Sequence, residues 1–397
     1  MALSTLAVVQ NALKDYFKEP IIKQLDEKSG PIMAAIEKGA EEIVGGKIKF
    51  SLEYGRSGGV GARAEDGTLP TPAPRKYEMP YLETKNLYAR LSLTDKLIKV
   101  SKSSQAAFVN QFTQQMENLL TDANDMLRRN MVGSETGVMG TITSAVGTAT
   151  NTFTLDESVE AFYPGQLVDF GTVSGTAFTA AKTAVEIVDV DYDAKQITVG
   201  GTAFTTSANT VICLTGNYGH ELIGIEDIMS ATTLYGVDRT SKKWFNPIIV
   251  DQSSGGATTA FDSLNIQKAI DQIFKRTGEQ PNFIACNDGV QRAYIDEQNT
   301  YKRNIETMKV DGGYRLCAYN GIPISVEKYM KNNIMDILNT KYIKLGRVAP
   351  WDWMDEDGSI LFRMRDQAAY EATLVMYGEL ICMKPAANAR VKGITEV

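Results

Sequence analysis

Between residues 47 and 92 the chain makes a long extended excursion that has no core of its own, and this limits its possible folds more than any other feature. Ile48, Phe50, Leu52 and Tyr54 alternate with polar residues, the period-two pattern of a half-buried strand. Next come Gly55-Arg56-Ser57-Gly58-Gly59-Val60-Gly61, Glu65-Asp66-Gly67 and Pro70-Thr71-Pro72-Ala73-Pro74. The glycines leave the tip without a preferred conformation, and the prolines stiffen its return into an extended path. Tyr77, Met79 and Tyr81, then Leu87, Ala89, Leu91 and Leu93, read as the returning strand. A ribbon of this length cannot offset the ordering entropy of its own residues. It needs another surface, and the pattern points to a second copy of the chain. Arg56, Arg63, Glu65, Asp66 and Lys76 would offer charged contacts to that neighbour.

The segments around the excursion differ sharply from one another. Leu6, Val9, Leu13, Tyr16 and Phe17 fall at helical spacing before Pro20, and a second short helix is expected from Pro31 to Lys38. Beyond Ser101, the residues Phe108, Phe112, Met116, Leu119, Ala123 and Met126 recur at steps of four and three, predicting one long amphipathic helix to about residue 131. From 141 to 216 Thr, Gly, Ala and Val dominate, charges thin out, and short alternating runs are cut by turn signals such as Pro164-Gly165 and Gly200-Gly201. That is the signature of a small all-β unit inserted as a whole. The remainder mixes helices and strands. Asp262 or Ser263 caps a helix that Gly278 stops, and Asn320-Gly321 is suited to a type I′ hairpin turn.

Chemistry is sparse. A single histidine, His220, excludes a His-ligated zinc cluster, and in Asn217-Tyr218-Gly219-His220-Glu221 it reads as a loop residue. Four scattered cysteines form no Cys-x-x-Cys pair and read as small apolar side chains. The glycine cluster lacks the Gly-Lys-Ser/Thr ending of a phosphate loop, and the acids of Trp351-Asp352-Trp353-Met354-Asp355-Glu356-Asp357-Gly358 lack the spacing of a calcium loop. With a net charge of −7 and both signs interspersed, contact with nucleic acid is expected to be weak and non-specific. No run of 18 apolar residues suggests a membrane span.

In this order the parts resemble the major capsid proteins of tailed bacteriophages, the Hong Kong 97-type fold also used by encapsulin shells. Local similarity lies in Gly133-Ser134-Glu135-Thr136-Gly137-Val138-Met139-Gly140 leaving the long helix, and in the helix–strand–helix of residues 262–298. It continues in Asn320-Gly321-Ile322-Pro323-Ile324 before Lys328-Tyr329-Met330, in Lys344-Leu345-Gly346, and in Ile360-Leu361-Phe362-Arg363-Met364-Arg365. The resemblance implies an α+β capsid fold with an N-terminal arm (1–46), an extended loop (47–95), and a spine helix beginning the peripheral domain (96–140). An inserted small all-β domain (141–216) follows, then the axial domain with the rest of the peripheral domain (217–397).

By the same resemblance the chain would be structural and not an enzyme, with no catalytic, cofactor or metal residues. It would self-assemble as hexamers and pentamers into an icosahedral shell around the double-stranded DNA of a tailed phage; an encapsulin-like nanocompartment shell is the alternative. Partners would be further copies of itself, a portal, and packaged DNA touched non-specifically, with no membrane. With the excursion reached by residue 47, a full gene product starting at Met1 would take its scaffolding from a separate protein, and a mature or re-cloned start would look the same. The location implied is the virion capsid, assembled in the host bacterial cytoplasm.

Overall fold

The structure, a computed structural model, describes residues 30–40, 47–95, 105–156, 159–300, 307–309, 315–354, 362–365 and 367–397. The proposed helix over Leu6 to Phe17, the side chains of Phe108 and Phe112, and the acids Asp355, Glu356 and Asp357 lie outside the described residues. The long helix spans Gln105–Val132, 28 residues and so about 42 Å. Its most buried stripe is Met116, Leu120, Ala123, Leu127 and Met131, while the predicted Leu119 and Met126 are only partly buried at the edge of the same core. The stripe is rotated by one residue because sheets cover the helix from one side more than periodicity alone can specify. The sequence also gave no warning of the buried amides Asn124 and Asn130.

Much of what covers this helix comes from the far end of the chain. Ala369–Cys382 is a 14-residue strand paired antiparallel with Ile343–Trp353 on one side and with Lys85–Thr94 on the other. Glu37–Ala40 extends the sheet by parallel pairing with Ile343–Trp353. Lys85–Thr94 is therefore a full strand of this sheet. The return from the excursion, read above as one strand, is three: Lys76–Glu78, Tyr81–Glu83 and Lys85–Thr94. The break follows from burial: Leu87 and Leu93 enter the main core, whereas Tyr77 and Met79 remain exposed.

A seven-stranded sheet forms the second body, in the order Ile248–Asp251, Ala389–Lys392, Ile334–Leu338, Phe283–Cys286, Ile322–Val326, Arg315–Tyr319, Thr307–Lys309. Helices Ser263–Thr277 and Asp288–Thr300 pack against it around Ile266, Ile270, Ile273, Val290 and Tyr294. The cap of the first helix is Asp262, which accepts from the Leu264 N–H at 3.0 Å, and Gly278 ends it at φ 73°. Asn320 and Gly321 both have positive φ, 49° and 76°, as a type I′ turn requires.

The all-β unit begins at Val138–Ile142, which pairs with Thr210–Leu214 so that the chain leaves beside the point where it enters. Its six-stranded sheet encloses a separate core in which Phe153, Phe170 and Phe204 pack with centroids 4.9–5.3 Å apart. Asp169 accepts from the Ala184 N–H (2.8 Å), the Thr215 hydroxyl (3.0 Å) and the Gly216 N–H (3.2 Å). One carboxylate thus holds both a bulged residue, Ala184 at φ 52°, and the exit turn. Since Val138 and Cys213 are paired across the neck, replacing residues 138–215 by a short flexible linker should leave the long helix and both other sheets folded. Circular dichroism and a cooperative melt of that variant test this, and an insoluble or unfolded product would make the unit part of the main core.

At the C-terminal end of the long helix the backbones nearly touch. A Cβ on Gly224 would lie 2.2 Å from the Gly133 carbonyl oxygen and 2.6 Å from that of Asn130. Gly224→Ala should therefore cost about 3 kcal/mol, read as a lowered denaturant midpoint.

Candidate inter-subunit surface

From residue 51 to residue 79 no side chain is buried. Leu52–Gly55 pairs with Lys76–Glu78, and Lys47–Lys49 pairs with Tyr81–Glu83, but the tip between them is held only by its own short-range bonds. Ser57 donates its hydroxyl to the Ala73 carbonyl at 2.8 Å, Arg63 Nε donates to the Thr68 carbonyl at 3.1 Å, and Arg75 bridges Glu53 at 2.6 Å. Val60, Leu69 and Met79 are 87%, 82% and 74% exposed, so the ribbon carries apolar side chains with nothing against them. Such a surface is unstable as the resting state of a free arm and is suited to being covered.

Arg56, Arg63, Glu65, Asp66 and Lys76 are all exposed along this ribbon. Arg63 turns back onto its own loop, donating also to the Ala62 carbonyl at 2.9 Å. The side chains of Arg56, Glu65, Asp66 and Lys76 make no hydrogen bond or ion pair with the described residues. Lys76 is fixed by its strand, directly beside Gly55, where an added Cβ would meet its own Cβ at 2.8 Å.

The root of the ribbon is built quite differently. Tyr54 stacks on Trp244 with centroids 4.8 Å apart and planes 8° from parallel, and Phe50 meets Tyr235 edge-on at 5.8 Å. Lys242 bridges Glu78 at 2.7 Å, and Lys47 bridges Glu83 at 2.7 Å with its ammonium over the Tyr81 ring. The Lys47–Glu83 hydrogen bond, then their mutual charge, raises the lysine and lowers the carboxyl. The Tyr81 N–H donates to the Tyr235 carbonyl at 3.3 Å. Tyr235 itself adopts φ 53°, and its buried hydroxyl donates to the Leu380 carbonyl (2.8 Å) and accepts from the Cys382 N–H (2.9 Å). Beside it Gly236, at φ 75°, leaves room for the Tyr81 ring, which a Cβ would approach to 3.0 Å. Sequence reasoning missed this anchor because its parts lie at residues 50, 54, 81, 235, 244 and 380, and no local period links them.

Away from the root, buried charges tie the long helix and the seven-stranded sheet to their neighbours. Arg128 pairs with the buried Glu327, whose Oε2 also accepts from the Ile32 N–H at 3.4 Å. Arg129 pairs with Glu221. Arg390 grips Asp336 with two bonds of 2.7 and 2.8 Å and Glu226 with a third of 2.7 Å. Burial pushes the carboxyls of Glu327 and Asp336 upward, against the opposing pull of their arginines. Burial would also raise Glu226, yet Arg390 and Lys331 hold it below its usual range.

Glu379 is the exception. It is fully buried, its Oε1 accepts from the Ile223 N–H (2.8 Å) and the Leu380 N–H (3.0 Å), and its Oε2 has no partner among the described residues. Burial lifts its pKa to about 8, and the two backbone donors and Lys85 only partly offset this. His220 is exposed in its loop. Cys213, Cys286 and Cys382 are buried thiols; Cys317 is partly covered.

No family model matches the sequence, and no curated protein matches it either. Solved structures do match. The capsid asymmetric unit of cyanophage A-1(L) superposes with a TM-score of 0.57 at 12% identity, covering 92% of this chain and 93% of that one. The holo-SrpI encapsulin complex of Synechococcus elongatus gives a TM-score of 0.47 at 8% identity over 93% and 89% of the two chains. A native GTA particle capsid gives 0.47 at 9% identity over 92% and 90%. The first of these likenesses carries the assignment: this chain has the α+β, Hong Kong 97-type fold of phage capsid proteins.

Glu379 yields a pH prediction. Its pKa of about 8 in the fold exceeds the ordinary 4.5, so between those values the folded chain keeps a proton that the unfolded chain has lost. Stability should fall as pH rises through this window, by up to about 1.4 kcal/mol per unit, and level off above it. Glu379→Gln keeps the acceptor for Ile223 and Leu380 and should flatten this slope, giving a higher denaturant midpoint than the parent at pH 8. Equal slopes in the two proteins would mean that Glu379 ionises without cost.

Proposed function

We propose that this chain is the structural subunit of a closed protein shell, the major capsid protein of a tailed phage, assembling as hexamers and pentamers around double-stranded DNA. The observation that carries this reading is the contrast along one ribbon: a root bolted to the molecule by Tyr54, Tyr235 and Trp244, and a stretch from 51 to 79 with no buried residue. Anchoring fixes the direction of the arm, and exposure leaves its length to be covered by a neighbouring copy. The likeness to a cyanophage capsid over nearly the whole of both chains supports the same reading.

Within the shell, the exposed stretch of the ribbon, residues 51–79, lies across the adjacent subunit, with Arg56, Arg63, Glu65, Asp66 and Lys76 as its charged contacts, while Lys85–Thr94 stays in the subunit's own sheet. The long helix and the sheet of Ala369–Cys382 form the peripheral part and the seven-stranded sheet the axial part, with the all-β unit as an insertion that either sits on the outer face or braces the subunit. A separate scaffolding protein and a portal complete the assembly pathway, which runs in the host bacterial cytoplasm and ends in the virion. Contact with packaged DNA is non-specific, and the role is structural rather than enzymatic.

Negative-stain microscopy of the purified protein, with scaffold supplied, should reveal closed shells or capsomers. A species that stays monomeric across salt conditions would overturn the proposal, and particles carrying cargo protein without DNA would redirect it to a storage compartment. Trypsin should nick free subunits near Arg56 or Arg63 and spare mature shells; equal cleavage of both would show that the ribbon does not lie across a neighbour. Reversing Arg56 and Lys76 to Glu should reduce particle yield at least severalfold, with an unchanged subunit melt because neither side chain holds the fold.

A further inference from the structure

A cavity of about 740 Å³ opens at the root of the ribbon, between residues 51–54, the short helix Lys243–Phe245, the end of the helix Ser263–Thr277 and residues 383–386. Its walls combine two kinds of surface. Trp244, Phe245 and Pro385 are apolar, and Lys243, Arg276 and Lys384 are cationic. The one acid in the wall, Glu53, is already bridged by Arg75 at 2.6 Å. Lys384 donates to the Thr277 carbonyl at 3.3 Å and to Glu279 at 3.4 Å. The side chains of Lys243 and Arg276 are exposed and make no hydrogen bond or ion pair with the described residues. Apolar surface beside unmatched cations suits a partner segment that is itself both apolar and acidic.

The ribbon tip has that composition. Glu65 and Asp66 are exposed and have no partner among the described residues, and Leu69, close behind them, is 82% exposed. The cation beside them, Arg63, is occupied by the Ala62 and Thr68 carbonyls. Within one chain the tip and the cavity are held apart. Leu52–Gly55 pairs with Lys76–Glu78, and beyond that pairing Ser57 donates to the Ala73 carbonyl, so the ribbon leaves the cavity closed and carries its tip to the other end. A contact between two different patches, repeated from copy to copy, closes into a ring.

We propose that the cavity at the ribbon root of one copy receives the ribbon tip of the next, with Glu65 and Asp66 pairing with Lys243 and Arg276 and Leu69 packing beside Trp244. The inference rests on the shell reading and names the acceptor surface which that reading leaves open.

Asp66→Cys and Lys243→Cys variants, mixed and assembled with scaffold supplied, should give an oxidised dimer of the two on a non-reducing gel, and a chain carrying both substitutions should give a ladder of oligomers. The parent, whose four thiols are buried or partly covered, should give neither. Charge exchange supplies a second measurement. Glu65→Lys with Asp66→Lys, or Lys243→Glu with Arg276→Glu, should each lower particle yield about fivefold, and all four together should restore it. Subunit melts should not change, because all four side chains are exposed. Parent particles that form while neither the cross-link nor the restored yield is seen would overturn the docking site and leave the shell standing. A cross-link within a single chain would also overturn it, by returning the tip to its own root. A parent that never assembles would remove the shell reading and this contact with it.

Discussion

Arg128 and Arg129 stand next to each other on the long helix and reach in different directions, Arg128 to Glu327 and Arg129 to Glu221. Through Glu327 the helix also holds the backbone of Ile32, and through Glu221 it holds the loop that leaves the all-β unit. Removing one member of such a pair strands a buried charge, which is why pairs of this kind are costly to break singly. The helix is thus the member to which the N-terminal segment, the inserted unit and both other sheets are referred. Close packing enforces the same arrangement where Gly224 meets the carbonyls of Gly133 and Asn130.

That rigid centre gives the exposed ribbon its meaning. An arm with an unanchored root would sample many directions, and covering it would cost the full entropy of ordering it. Here Tyr54, Phe50 and Glu78 fix the root to Trp244, Tyr235 and Lys242, so only the tip remains to be ordered. The seat is in turn locked to the C-terminal strand by the Tyr235 hydroxyl. Strand Lys85–Thr94 continues from the ribbon into that same sheet, so force on the ribbon is carried directly into the main core.

The all-β unit is joined differently. Its entry and exit strands pair with each other, its aromatic core is its own, and Asp169 closes the neck. Between it and the helix lies a cavity lined by Asp122, Asp125 and Glu160 together with Arg129 and Lys328, whose charge acts on Glu160.

Much of the secondary structure was legible in local sequence. The Asp262 cap, the Gly278 stop, the Asn320-Gly321 turn, the long helix and the short strands of the all-β unit each depend on neighbours within a few residues, and the structure has them. The exposed ribbon was legible for the same reason, since alternation and glycine content are local properties. Its root was not: Tyr54 on Trp244, or Tyr235 under Leu380, joins residues far apart in the chain. Nor could periodicity choose Leu120 and Leu127 over Leu119 and Met126, a rotation set by which side the sheets cover. Local sequence determined which segments could be helix, strand or unsupported loop, because propensity and hydrophobic period act over one or two turns. Which charges are buried in pairs, where Glu379 keeps its proton and which acids open onto a shared cavity was decided only by tertiary packing, because desolvation and Coulomb energy depend on distances that folding alone creates.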